Sequence, residues 1–477
     1  MKFPLHDVRA LGDAASQAFL SPARWQGSQL GNAAYRIEEF TVSGEARLYT
    51  DGASRPPRHG RTVPYTTRVL TIRPGRDEDF SGEVHIELLN PSTGNDFPMY
   101  WPDTARHIVR RGAAYVGVTC KAVTAHTLRD MPGGRYSALS FPHDGAVWDL
   151  IGAVAAACRR PEAAGLLPGL RRPDRTLLTG WSQSGSFLRT YLSEGLHDLH
   201  SDELEQEICD AYLIGVSSGG FGPFGYVNVD RDGEIEFDAR LRPVTPLAQV
   251  AMDDPRRVVR GSRVPVIEFM SQEEAVSHLW HQRADSDVAG DLYRCYQIPA
   301  RGHESGLLDD AARIDDHRAA GSSPAEGCPR HAATAYLLAA AIDNLLAWTD
   351  GTPPPRADPI SMRVAPGFER DPQGVDYSGI SCVTDEAGHA MGGVRYLDVE
   401  VPVRRMAGDP DGPIAMGAWT HTPFDPAELR RRYGSPEELR ERARRTVARL
   451  VADRWYLPED AAAAVDEFCR SVPSHWG

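Results

Sequence analysis

A short apolar run, Thr176 to Thr179, stops at Gly180, and a helix-compatible run begins after Ser184. Between them stands Gly180-Trp181-Ser182-Gln183-Ser184, a serine with small residues two places to either side. No other stretch limits the fold of this chain so tightly. A strand that turns at once into a helix lifts its apex residue clear of the backbone, and bulk at −2 or +2 would block the turn. The helix N-terminus and the amide after the serine then face any negative charge that forms beside it. Ser184 also has small neighbours at ±2 and is a rival nucleophile. The strand ends at Thr179, however, so the turn centres on Ser182 and Ser184 falls in the first helical turn.

Strand-like and helix-like segments alternate on both sides of this turn, the pattern of a mostly parallel sheet flanked by helices. Residues 66–72, 83–89 and 113–119 read as strands before it, with helices around 101–111 and 146–159. After it, 211–216, 264–270 and 293–298 read as strands and 332–348 as a long apolar helix. The 477 residues have room for one large domain with insertions, or for two domains. The expected layout is an α/β catalytic domain over 1–350, a proline-dense linker over 351–359 and a smaller C-terminal α+β lobe over 360–477. That lobe is expected to hold a strand pair around 394–403 and two helices. The first helix opens on the capping box Ser435-Pro436-Glu437-Glu438. The stretch 217–263 is far longer than a crossover requires and is rich in Gly, Pro, Asp and Phe, so a cap or lid is expected there.

Charge narrows the function classes. A net charge of −14 offers no basic stripe for phosphates and argues against a nucleic-acid partner. Arg430, Arg431 and Arg432, with Arg440, Arg442, Arg444 and Arg445, are interleaved with Glu437, Glu438 and Glu441 and read as a solvated helix face. No apolar h-region follows Met1, and no stretch is long enough to span a bilayer. The seven cysteines are scattered, with no C-x-x-C pair. A cytoplasmic, reduced protein without membrane or nucleic-acid partners is expected. His278 and His281 lack a companion ligand pattern, so no metal is expected either.

The turn at Ser182 resembles the nucleophile elbow of the α/β-hydrolases, with serine where the usual final glycine stands. That fold requires an acid and then a histidine, in this order, each after a later strand. Glu274 follows the strand at 264–270, and His303 follows the strand at 293–298 in Gly302-His303. His303 would take the proton from Ser182 as it attacks a carbonyl, and Glu274 would hold the imidazole tautomer. Glu273 competes with Glu274 for the acid role. One oxyanion donor is expected from the Gln183 amide. The other is expected from the loop at Asn90, through its amide, its side chain or a later amide, because Pro91 has no N–H. Trp181, Tyr100, Trp101 and Phe221 are expected near the substrate, core packing being the alternative for each.

These motifs together resemble a large bacterial and fungal family, the alpha/beta hydrolase domain family, with its Gly-aromatic-Ser-Gln-Ser-Gly elbow, here Gly180 to Gly185. The resemblance extends through Pro64 to Leu70, Phe80-Ser81-Gly82, Glu87 to Asn90, Gly112 to Val118, Arg135-Tyr136, Arg283 to Asp287 and Gly388 to Arg395. It departs from the family pattern at Pro91, Lys121 and His389. It implies a serine at Ser182, a base at His303 and an acid at Glu274, on an α/β-hydrolase fold with a cap-like insertion and a C-terminal lobe. The expected activity is hydrolysis of a carboxylic ester or lactone of a small to medium uncharged substrate, through an acyl-serine and with no cofactor. The alternatives are an acyltransferase that passes the acyl group to another acceptor, and a non-catalytic binding scaffold. The small-molecule substrate is the expected partner, and the assembly state is open, a homo-oligomer included.

Overall fold

Strand structure begins earlier than the alternating pattern indicates. The computed structural model describes residues 4–13, 34–52, 54–94, 96–160, 165–220, 222, 225–233, 250–303, 332–407, 420–472 and 476. In it β1 (Leu5–Asp13) and β2 (Tyr35–Thr50) precede β3 (Arg58–Pro74), and the three pair antiparallel. β2 hid from an apolar pattern because it carries Glu38, Glu39, Glu45 and Arg47. Two of these charges are buried against ionic partners. Glu39 accepts from Arg68 at 2.5 Å and from Arg135 at 2.6 Å, and Arg47 donates to Asp149 at 2.8 Å. Pairing is what makes burial of such charges tolerable.

The chain divides into two compact units, Met1–Val266 with His281–Tyr293, and Ile267–Trp280 with Arg294–Gly477. In the first, the strands β4 (Glu83–Leu88), β5 (Ala114–Val118), β6 (Arg175–Trp181) and β7 (Ala211–Gly215) join the early three in the order β1-β2-β3-β5-β4-β6-β7. β3 and β5 are antiparallel, while β5, β4, β6 and β7 run parallel. Parallel strands covered on both faces need nearly continuous apolar sequence, and Val84, Ile86, Leu88, Val116, Leu177, Leu178, Leu213 and Ile214 are all buried. The connections carry α1 (Trp101–Arg111), α2 (Ala122–Arg129), α3 (Val147–Arg159), α4 (Gln183–Ser193) and α5 (Leu196–Leu204). Gly112 ends α1 at φ 70°, where an added Cβ would lie 2.4 Å from the Asp79 carbonyl.

The second unit takes β8 (Val266–Ser271) from Ile267 onward, α6 (Gln272–His278) and the later part of β10 (Asp291–Ile298), whose first residues pair with β9 (Ser286–Val288) in the first unit. The long helix α7 (Ala332–Thr349) and the hairpin β11 (Met362–Val364) with β12 (Ile380–Cys382) follow. The strand pair expected around 394–403 is not there. That stretch forms the short helix α8 (Leu397–Glu400), and the pair is β13 (Arg404–Ala407) with β14 (Thr420–Pro423). Three helices close the chain rather than two, α9 (Pro426–Tyr433), α10 (Pro436–Ala452) and α11 (Ala461–Arg470). Ser435 caps α10 by accepting from Glu438 N at 3.2 Å, but its own N–H goes to Tyr433 O, so the expected box is half-formed. The proline-dense stretch 351–359 lies inside the second unit, and the division between units falls at 266/267, 280/281 and 293/294. Much of the expected cap at 217–263 lies outside the described residues. Among the described residues no helix is long and apolar enough to cross a membrane.

Candidate active site

The register of the parallel strands sets the surroundings of Ser182. Leu88 stands opposite Gly180, so the chain leaving β4 arrives beside the chain leaving β6 at the carboxyl ends of the strands, where α/β sheets place their ligands. β6 ends at Trp181, α4 begins at Gln183, and Ser182 between them has φ 55° and ψ −121°. A backbone like this costs a non-glycine residue about 1–3 kcal/mol and persists only where its surroundings impose it. Those surroundings are specific. Ser182 N donates to Gly215 O at 3.0 Å, Trp181 N donates to Ser184 Oγ at 2.9 Å, and Ser184 Oγ donates to Trp181 O at 3.0 Å.

The need for small residues is also specific. A Cβ on Gly180 would lie 2.6 Å from Ser184 O, and one on Gly185 would lie 2.9 Å from the Ser217 Cβ. The close approach after the serine is thus at Gly185, which leaves position 184 free to carry a side chain. Ser184 is fully buried and its hydroxyl braces Trp181 on both sides, while Ser182 is half-buried. Gln183 is the first residue of α4, so its N–H is among the helix's unsatisfied donors.

Asn90 has a different task from the one expected. Its main-chain N–H donates to Phe97 O at 2.8 Å, its Oδ1 accepts from Ser92 N at 2.8 Å, and its Nδ2 donates to Trp181 O at 2.8 Å. The amide is therefore engaged, and the side chain clamps the peptide that precedes Ser182. Three of the four aromatic residues expected near the substrate are described, and they are buried. Tyr100, Trp101 and Trp181 are each exposed by 3% or less. Tyr100 packs on Trp181 with ring centroids 6.4 Å apart, and Trp101 packs on Tyr115 at 4.9 Å. Phe221 lies outside the described residues. Beneath this cluster Glu87 accepts from Tyr100 N at 2.8 Å and from the Tyr115 hydroxyl at 2.7 Å. Complete burial pushes its carboxyl up to about 7, against the opposing pull of those donors.

The other candidate residues, Glu273, Glu274 and His303, lie in the second unit. Ser271 caps α6, accepting from Glu273 N at 3.1 Å and Glu274 N at 3.4 Å, while Glu274 Oε2 accepts from Ser271 N at 3.0 Å. Ser-x-x-Glu is a capping box, so the acid stands in the first turn of a helix and not on an irregular loop. The other oxygen of Glu274, Oε1, lies 2.5 Å from His303 Nδ1. Burial alone would raise this carboxyl. The His303 imidazole beside it, with hydrogen bonds from His303 and Ser271, outweighs that and holds it below the usual carboxylate range. An ionised carboxylate can only accept, so the proton belongs on Nδ1 and Nε2 is left as the basic nitrogen. Glu273 is also engaged with the histidine, but through the main chain, its Oε2 accepting from His303 N at 2.8 Å.

The structure thus brings Glu274 to His303 in one unit. In the other it gathers the serine with Gln183, Asn90 and Trp181. The sequence reading missed the brace by Ser184, the clamp by Asn90 and the capping box at Ser271. Only the last had a sequence signal.

The family model for the alpha/beta hydrolase domain matches residues 6–466, and this chain belongs to the alpha/beta hydrolase domain family. Among solved structures it is similar to the esterase Est22 at 15% identity and a TM-score of 0.34, covering 64% of this chain and 85% of that one. A bacterial heroin esterase matches at 13% identity and 0.32, over 63% and 89% of the two chains. The carboxylesterase Cest-2923 of Lactobacillus plantarum matches at 13% and 0.30, over 56% and 87%. No match was found among curated protein sequences.

Proposed function

We propose that this protein is a serine hydrolase that cleaves carboxylic esters or lactones of small to medium uncharged molecules through an acyl-Ser182 intermediate. The observation that carries the reading is the backbone of Ser182, held at φ 55° on a strand-to-helix turn by a hydrogen bond to Gly215 and by the brace on Trp181. In the proposed reaction Ser182 Oγ attacks the acyl carbon and gives its proton to His303 Nε2. Glu274 stabilises the resulting imidazolium, and the Gln183 N–H at the start of α4 faces the developing oxyanion. The proton passes to the leaving alcohol, and a water deprotonated by His303 releases the acid. One well-placed oxyanion donor is worth about 10²–10³ in rate.

The test is hydrolysis of chromogenic short-chain esters together with labelling by a fluorophosphonate. Ser182→Ala and His303→Ala are expected to lower kcat by at least about 10³-fold, and mass spectrometry should place the label on Ser182. Undiminished turnover by Ser182→Ala would sink the proposal.

A further inference from the structure

We propose that Glu273 is a positioning residue for His303, distinct from the acid Glu274: its carboxylate holds the main chain of the base while Glu274 holds the ring. This rests on the reading of His303 as the base.

The loop that leaves β10 for His303 has a conformation it would not keep unaided, with Ala300, a non-glycine residue, at φ 57°. Three consecutive residues at the start of α6 seize it at four points. Gln272 N donates to Arg301 O at 3.0 Å, and Gln272 Oε1 accepts from Ala300 N at 2.8 Å. Glu273 Oε2 accepts from His303 N at 2.8 Å, and Glu274 Oε1 meets His303 Nδ1 at 2.5 Å.

The two carboxylates do different work. Successive helical residues point about 100° apart, so neighbouring acids can reach different parts of one target. The bond to Nδ1 sets the tautomer and the rotation of the imidazole, yet it leaves the backbone, and with it the Cβ, free to drift. The bond to His303 N removes that freedom. Displacement of a reacting group by about 1 Å can cost about 10²-fold in rate. Both carboxylates lie in the first turn of α6, where the helix favours negative charge, and both are buried.

The C-terminal region supports the same clamp. Gln272 Oε1 also accepts from Ala390 N at 3.4 Å, and Ala275 of α6 packs with Ile360 and Ala390. The stretch Gly388 to Arg395, singled out in the sequence, thus braces the residues that hold the base. Gly392 and Gly393 permit its close approach, since a Cβ on them would lie 2.2 Å from Pro359 O and 2.4 Å from Gln297 O.

The test compares Glu273→Met, which fills similar space without an acceptor, with Glu273→Gln, whose amide oxygen can still accept from His303 N, and with Glu274→Gln. Ester kinetics are read alongside thermal melting and the low-field proton resonance of the His303 Nδ1–H in protein labelled with 15N-histidine. Glu273→Met is expected to lower kcat about 10- to 100-fold with KM within about twofold, and to shift or broaden the resonance. Glu273→Gln should recover most of the rate, and Glu274→Gln should abolish the resonance. Glu273→Asp, with the acceptor drawn back by one methylene, should lie between and serves if the Met variant does not fold. Wild-type kcat with an unmoved resonance in folded Glu273→Met overturns the proposal. So does a Gln variant as inactive as Glu274→Gln, which would make Glu273 the acid. If the wild-type protein neither turns over esters nor takes a phosphonate on Ser182, the functional reading fails by itself, and the resonance alone then decides the role of Glu273.

Discussion

At the scale of single residues, Ser182 holds a strained backbone. Its positive φ is a conformation that a side chain disfavours, and the neighbouring hydrogen bonds hold it there. Replacement by glycine removes the Cβ penalty but keeps the turn, so Ser182→Gly should be more stable than Ser182→Ala by about 1 kcal/mol. Both should be inactive, and urea denaturation checks the difference. Ser184 stands on the other side of that balance. Its hydroxyl is acceptor for Trp181 N and donor to Trp181 O in a fully buried site. Ser184→Ala removes the hydroxyl from Trp181 N and one of two donors from Trp181 O, which Asn90 Nδ2 still holds, and should cost about 1 kcal/mol in the same assay.

At the scale of elements, one arginine ties together the described ends of the 217–263 stretch. Arg257 is buried and donates through Nη1 to Gly219 O and Gly222 O, both at 3.0 Å, and through Nη2 and Nε to Val250 O at 2.8 Å and Ala251 O at 3.0 Å. Its own carbonyl accepts from Arg189 of α4 at 2.5 Å, so the helix that starts after Ser182 is joined to the same knot. A fork of five N–H donors suits four converging carbonyls, whereas an ammonium is a point donor. Arg257→Ala should lower unfolding free energy by roughly 2–4 kcal/mol, and Arg257→Lys should recover little of it. A matching midpoint for the Lys variant and wild type would show that charge alone suffices. Nothing in the run Asp254-Pro255-Arg256-Arg257 marks which arginine faces inward. Arg256 bonds instead with Asp51, Asp254 and Glu194, and only the fold sorts the two.

At the scale of the whole molecule, buried carboxylates give stability a pH dependence with opposite signs. Glu87 is raised by burial from 4.5 to about 7. A raised folded-state pKa contributes stability that is fully present below 4.5 and is lost as pH rises through 7. Comparing pH 5 with pH 8, the wild-type protein should therefore lose more stability than Glu87→Gln, by up to about 3 kcal/mol. Glu274 works the other way. Its depressed pKa contributes stability above 4.5 that is lost as pH falls through the folded-state value. Equal slopes for wild type and Glu87→Gln between pH 5 and 8 would count against the buried titration.

The readable part of this protein was local. The apolar run ending at Gly180, the helix after it and the alternation of strands and helices are patterns within a few residues of one another, and they led to the sheet, the turn and the expected order of serine, acid and histidine. Ser271 to Glu274 was readable as well, since a capping box spans one turn of chain. The rest depends on groups far apart in sequence. β2 could keep Glu39 and Arg47 inside only because Arg68, Arg135 and Asp149 come to them from 29, 96 and 102 residues away. Asn90 became a clamp because its partner is the carbonyl of Trp181, 91 residues on. Glu273 and Glu274 are neighbours of one residue type, and what separates them is which atoms of His303, about 30 residues on, each one meets. Residue type and spacing determine which chemistry the chain can support. Which side chain carries it depends on partners that folding alone brings within hydrogen-bond reach.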